Sequence, residues 1–345
     1  MKSTPVRIVI AVVVAALVLL GAKSTSSGDV LGANPACREG KGKIGFVPKL
    51  GTDPYMTTVF AAAEKAAKAN GTEVIYTAPS EANGAAQIPF VYQLMAQDVC
   101  VIAISGSDVI STKKIMQLAA EKGIKVISWD SDIDPDARSI FVNQAATPAL
   151  GDQMLNALVD MLGPEGGEFA ILSSTPTAVN QNAWIAAIRD RLASDPALAN
   201  FKLVKVAYGL EKADENARQA TGLVQSYKNL KGIIVPAGIG LPAAAQALEQ
   251  TGDLGKVKLS GLAPASLIKP YIEAGQVQDV WWSVPDLGTL TYYTAQALAR
   301  GDITGAEGET YEAGELGTFT IGENGVVLLG EPKIVTPENV DEFPF

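Results

Sequence analysis

Residues 43–78, KIGFVPKLGTDPYMTTVFAAAEKAAKANGTEVIYTA, hold one complete strand–helix–strand unit. Lys43 to Pro48 is a short apolar run, too brief for a helix and rich in strand-favouring side chains. An alanine-rich amphipathic stretch from Tyr55 to Asn70 follows, with Gly71 as its stop, and then a second β-rich run from Glu73 to Ala78. Strands joined through a helix lie parallel in one sheet, so this unit predicts an α/β fold.

The same alternation continues along the chain. Strands are expected at Cys100 to Ser105, Lys125 to Trp129 and Ile140 to Asn143, with helices over Ala85 to Ala96 and Val109 to Lys122. The second half repeats the scheme with Glu168 to Ser173, Lys202 to Tyr208, Gly232 to Pro236, Lys256 to Gly261 and Val277 to Ser283. Helices between them start near Thr147, Val179, Asp214, Leu241 and Ala265. Two Rossmann-like lobes with parallel sheets result, and a helix from Pro285 to Ala299 returns to pack on the first. Val326 to Leu329 reads as a late strand. The expected division is residues 37–143 with 286–308 in the N-terminal lobe, and 144–285 with 309–345 in the C-terminal lobe. The multi-crossing hinge is expected near Asn143 to Ala145, at Val284 to Asp286, and between Ala299 and Glu312.

Lys2 and Arg7 precede an uncharged apolar run from Ile8 to Ala22. At about 15 residues it is shorter than the roughly 20 of a bilayer-spanning helix, and it has the form of a signal peptide over residues 1–24. Lys23 stands where a lipoprotein would carry cysteine, which leaves an uncleaved anchor as the alternative. Export to the periplasm or the outer face of the membrane puts Cys37 and Cys100 in an oxidising compartment. A Cys37–Cys100 disulfide is therefore expected, the alternative being two unpaired thiols.

Composition narrows the function. A net charge of −10 disfavours nucleic acid and anionic membrane as partners. With no histidine, the chain lacks the usual general base and any imidazole metal site. No glycine-rich phosphate loop follows a strand, and Gly238-Ile239-Gly240 reads as a flexible turn ahead of a helix. No cofactor is expected, and the chain does not read as an enzyme, although Lys49 with Asp130 can be drawn as an acid–base pair. A DNA-binding repressor on the same core would need a helix-turn-helix where this chain has its apolar run. A receptor that signals to a sensor kinase is not separable from a transport protein at this level.

In parallel α/β sheets, ligands bind beyond the carboxyl ends of the strands. The residues there are polar: Lys49 and Tyr55 after the first run, Asp130 to Asp132 after the fourth, Asn180 and Gln181 after the sixth, Pro236 to Gly238 after the eighth. Trp281-Trp282-Ser283 ends the tenth. Asp130 accepts two hydroxyl hydrogens, Lys49 donates, and Asn180 and Gln181 do both. Trp282 or Tyr55 can stack on the C–H face of a sugar ring, and the Pro236 carbonyl accepts a further hydroxyl. The set suits a small neutral polyol.

Four stretches, Ile44 to Leu50, Ser128 to Asp132, Asn180 to Trp184 and Leu241 to Gln246, resemble the sugar-binding proteins of ABC importers in the periplasmic binding protein family. The likeness is to the branch with rhamnose-type binders and the receptor for a furanosyl autoinducer. It implies a type I periplasmic binding protein fold and delivery of ligand to a membrane permease. It further implies ligand contacts at Lys49, Asp130, Asn180, Gln181, Pro236 and Gly238, with Tyr55 and Trp282 as pocket aromatics. Asn180 stands where the autoinducer receptor looks to have an aspartate, and Trp282-Ser283 where it looks to have a Trp-Asp pair, so two negative acceptors are missing here. That departure favours a monosaccharide or sugar alcohol over the autoinducer.

Overall fold

The computed structural model describes residues 34–343; the expected signal peptide lies outside them. The first half contributes strands β1 (Ile44–Val47), β2 (Val74–Tyr76), β3 (Val101–Ile104), β4 (Lys125–Trp129) and β5 (Ile140–Asn143). The second half contributes β6 (Gly167–Ser173), β7 (Phe201–Tyr208), β8 (Leu230–Val235), β9 (Lys258–Gly261) and β10 (Val277–Trp281). The tail adds β11 (Thr310–Glu312), β12 (Thr318–Thr320), β13 (Val326–Leu328) and β14 (Lys333–Val335).

Two six-stranded sheets form, in the orders β13-β5-β4-β3-β1-β2 and β14-β10-β9-β8-β6-β7. Only β14 runs antiparallel to its neighbour within them. β1 and β3 are buried at every position, as strands covered by helices on both faces must be. Their alternation feeds two cores: Ile44, Phe46, Val101 and Ala103 face one, and Val47, Ile102 and Ile104 the other.

Helix Val284–Arg300 follows β10 but packs against the first lobe, over helix Pro54–Ala69. The close approach depends on Gly288, where a Cβ would strike the Val59 carbonyl oxygen. The expected helix from Val109 begins later, at Lys113, because Asp108 holds the preceding turn by accepting from the amides of Ile110 and Ser111.

The tail corrects the expectation that residues 309–345 belong wholly to the second lobe. β13 pairs in parallel with β5, Val326 opposite Phe141 and Leu328 opposite Asn143, and so extends the first sheet. The β11–β12 hairpin lies on the same lobe, its Tyr311 hydroxyl bonded to Thr294 of the returning helix. The third crossing therefore falls between β13 and β14, not between Ala299 and Glu312. The physical reason is that β5 would otherwise expose an unpaired edge, which the Val326-Val327-Leu328 run covers.

Cys37 and Cys100 form a disulfide across 63 residues with their Cα atoms 5.6 Å apart. It ties the turn Pro35–Arg38 to the start of β3, at the end of the sheet opposite to the strands' carboxyl ends. Among the described residues, no helix is long and apolar enough to cross a membrane.

Candidate ligand-binding site

Strand order reverses between β1 and β3 in one sheet and between β6 and β8 in the other, and at such switch points the loops diverge and leave a crevice. The loop after β1 carries Lys49, and the segment after β6 carries Asn180 and Gln181. Both crevices open onto one cavity of about 730 Å³, its mouth to solvent included. Lys49, Tyr55, Asp130, Asn180, Gln181, Pro236, Gly238 and Trp282 all line it.

Each side chain is held in place locally. The Asp53 carboxylate caps helix Pro54–Ala69 by accepting from the Tyr55 amide at 2.9 Å, which anchors the tyrosine at the first turn. Asp130 has φ of 60°, a left-handed conformation uncommon outside glycine, at the end of β4. Its Oδ2 lies 3.0 Å from Lys49 Nζ and accepts from the Ser105 hydroxyl at 2.9 Å. The side chains of the pair are only 12% and 5% exposed, so the charges face the cavity with little water between them.

Lys49 Nζ also donates to Asn180 Oδ1 at 3.3 Å, a contact between the two lobes. Asn180 Oδ1 also accepts from the Gln181 amide, and among the described residues the Asn180 amide nitrogen has no hydrogen-bond partner, which leaves it for a ligand. Gln181 differs: its carbonyl oxygen accepts from the Ser173 hydroxyl at 2.6 Å and the Ser174 amide at 2.8 Å. Only its amide nitrogen is left over. Tyr55 and Trp282 meet edge to face, centroids 6.0 Å apart, and the indole N–H donates to the tyrosine hydroxyl at 3.3 Å. Gly238 has open space where a side chain would stand.

Other polar residues near these positions do structural work instead. Asp132 receives two hydrogen bonds of 2.7 Å from the Arg138 guanidinium. Ser283 caps helix Val284–Arg300 by accepting from the Asp286 amide, and it does not line the cavity. Of the two departures from the aspartate pattern, only Asn180 is at the site.

Three carboxyls in the lining escaped the sequence reading as ligand candidates: Asp53, Glu211 and Asp279. Burial, and the Glu211 charge after it, push the Asp53 carboxyl up to about 7. Burial raises Glu211 too, against the pull of Lys49. Burial holds Asp279 well above the usual carboxylate range. A signal existed only for Asp279, the one charge in the apolar run from Val277 to Trp282; Glu211 sits in a surface-like polar loop.

Residues 44–303 match the periplasmic binding protein domain, and the chain belongs to that family. Its fold is that of sugar-binding proteins of ABC transporters. An ABC transporter solute binding protein from Clostridium phytofermentas, solved with bound L-rhamnose, is 29% identical and superposes with a TM-score of 0.84, covering 88% of this chain and 98% of that one. LsrB from Clostridium saccharobutylicum, in complex with AI-2, is 24% identical with a TM-score of 0.82, over 88% of this chain and all of its own; that likeness speaks for the fold. The D-ribose/D-allose-binding protein of Pseudomonas aeruginosa is 23% identical over 206 residues, 57% of this chain and 62% of that protein, so the match spans less than two thirds of the relative's length.

Proposed function

We propose that this chain is the exported, monomeric solute-binding protein of an ABC importer, which captures a monosaccharide or sugar alcohol between its lobes and delivers it to the membrane permease. It performs no chemistry on the ligand. One observation carries the reading: six polar and aromatic side chains, Lys49, Tyr55, Asp130, Asn180, Gln181 and Trp282, drawn from strand ends of both sheets, line a single cavity with Pro236 and Gly238. Their hydrogen-bonding capacity suits a ring with several hydroxyls. The Lys49–Asp130 pair supplies a donor and acceptors on one wall, the Asn180 and Gln181 amide nitrogens supply donors on the other, and Tyr55 and Trp282 supply the apolar face.

The mechanism is closure. A ligand that touches both walls makes its full set of contacts only when the lobes are together, so its binding free energy shifts the population toward the closed form. The Lys49–Asn180 bond joins the lobes at the same place. Closure also creates the surface presented to the permease.

The test is a thermal-shift screen of the mature protein against pentoses, hexoses, deoxyhexoses, tetritols and the furanosyl autoinducer. A ligand at 100 times its dissociation constant adds about 2.7 kcal/mol of stability. A clear shift with a sugar or polyol is the expected result. A shift with the autoinducer alone would reassign the ligand, and silence across the panel would end the proposal.

A further inference from the structure

Asp279 stands in the middle of β10, in register with Gly261 of β9 and Val335 of β14. It is wholly buried and yet belongs to the cavity lining, beside Ala263 and Pro264. Oδ1 accepts from the Ala263 amide at 2.9 Å. Oδ2, equally buried, has no hydrogen-bond partner among the described residues. Among the described residues, the Ala263 amide is the donor bonded to the carboxyl, the neighbouring Val280 amide acts on it without a hydrogen bond of ordinary geometry, and no cation acts on it.

A carboxylate buried with so little compensation keeps its proton. The acid then carries an O–H donor that no described residue accepts, and an unmade hydrogen bond in a buried site is costly. A ligand oxygen in the cavity would satisfy it. Asp130, ion-paired with Lys49 on the other lobe, offers the opposite polarity because it only accepts.

We propose that Asp279 is a specificity-determining residue: a neutral carboxylic acid that donates from Oδ2 to one oxygen of the bound sugar. The two lobes then read complementary features, Asp130 a hydroxyl hydrogen and Asp279 an oxygen lone pair. The inference rests on the sugar-binding function proposed above and adds a discrimination to it. A sugar lacking that one oxygen leaves the acid unpartnered and binds more weakly.

The experiment uses L-rhamnose, D-ribose and D-allose, taking forward the one with the largest melting shift. Difference infrared spectroscopy of the wild-type protein should show a protonated-carboxyl carbonyl band that moves when the sugar saturates the site and is missing in Asp279→Asn. By calorimetry, Asp279→Leu should weaken that sugar about 10- to 100-fold. Asp279→Asn, which keeps a donor at the outer position, should recover much of the loss. Against the mono-deoxy analogue lacking the contacted oxygen, wild type and Asp279→Leu should bind alike. A band that stays fixed on saturation, or a folded Asp279→Leu that binds every analogue as wild type does, overturns the proposal. A sugar that binds without moving the band removes only this contact; failure of all three sugars to bind removes the sugar reading and this contact together.

Discussion

The ammonium of Lys49 lies 3.0 Å from the Asp130 carboxylate on its own lobe and 3.3 Å from the Asn180 amide oxygen on the other. One cation thus organises the first wall and latches it to the second. Without Asn180 Oδ1, the closed form loses a bond from a charged donor, of about 1.5 kcal/mol. Asn180→Ala should therefore shift the sugar-free protein about tenfold toward the open form. Small-angle scattering should record a larger radius of gyration for the variant without sugar, and the same radius as wild type at saturation.

Asp130 tests where the pocket is. Its carboxylate receives the Ser105 hydroxyl and the Lys49 ammonium and presents its remaining acceptor capacity to the cavity. Asp130→Ala should weaken the bound sugar by about 1.5 to 3 kcal/mol, roughly 10- to 150-fold. Unchanged affinity in titration calorimetry would show that the sugar sits elsewhere.

Sugar binding should take up a proton at Asp53. The carboxyl is pushed up to about 7 in the closed cavity, by burial first and by Glu211 second, against the opposing pull of Lys49 and with a smaller upward contribution from Asp130. In an open, wetted cleft it returns toward its ordinary value of 3.8. Between those values the closed form binds more protons than the open one, so acid favours closure. The contribution is complete below the open-form value and is lost as the pH rises through about 7. Affinity should fall between pH 5 and 7 by up to about tenfold per unit and level off above. Calorimetry in two buffers of different ionisation enthalpy counts the protons directly, and Asp53→Asn should reduce the uptake, leaving the share of Glu211, which burial also raises.

The disulfide should matter for stability and not for binding. Cross-linking Cys37 to Cys100 closes a loop of 63 residues, for which the chain-entropy argument gives about 4 kcal/mol. The bridge sits at the amino end of β3, away from the cavity at the strands' carboxyl ends. The double variant Cys37→Ser, Cys100→Ser should melt several degrees lower and bind the same sugar with unaltered affinity.

Much of this molecule is legible in one dimension. The strands of both sheets follow short apolar runs, because a strand buried on two faces must be apolar throughout and its crossover helix must be amphipathic. The cavity residues were legible for the same reason: in a parallel sheet the site lies past the strand ends, and Lys49, Asp130, Asn180 and Pro236 stand there in the sequence. Val326 to Leu328 was legible as a strand but not in its pairing, since three apolar residues fit the edge of either sheet. Asp53 was visible as a helix cap, but nothing local says that its carboxyl also lines a cavity.

The sequence alone therefore determined the class of fold, the two lobes and the residue types at the strand ends, all of which depend on patterns within a few dozen residues. Only the tertiary structure decided that Lys49 meets Asn180, 131 positions later, that β13 joins the first sheet, and that Asp279 is enclosed with one oxygen unpartnered. Those outcomes depend on which surfaces pack together and how much water they exclude. Burial and partner choice are properties of the packed whole, and no stretch of chain carries them by itself.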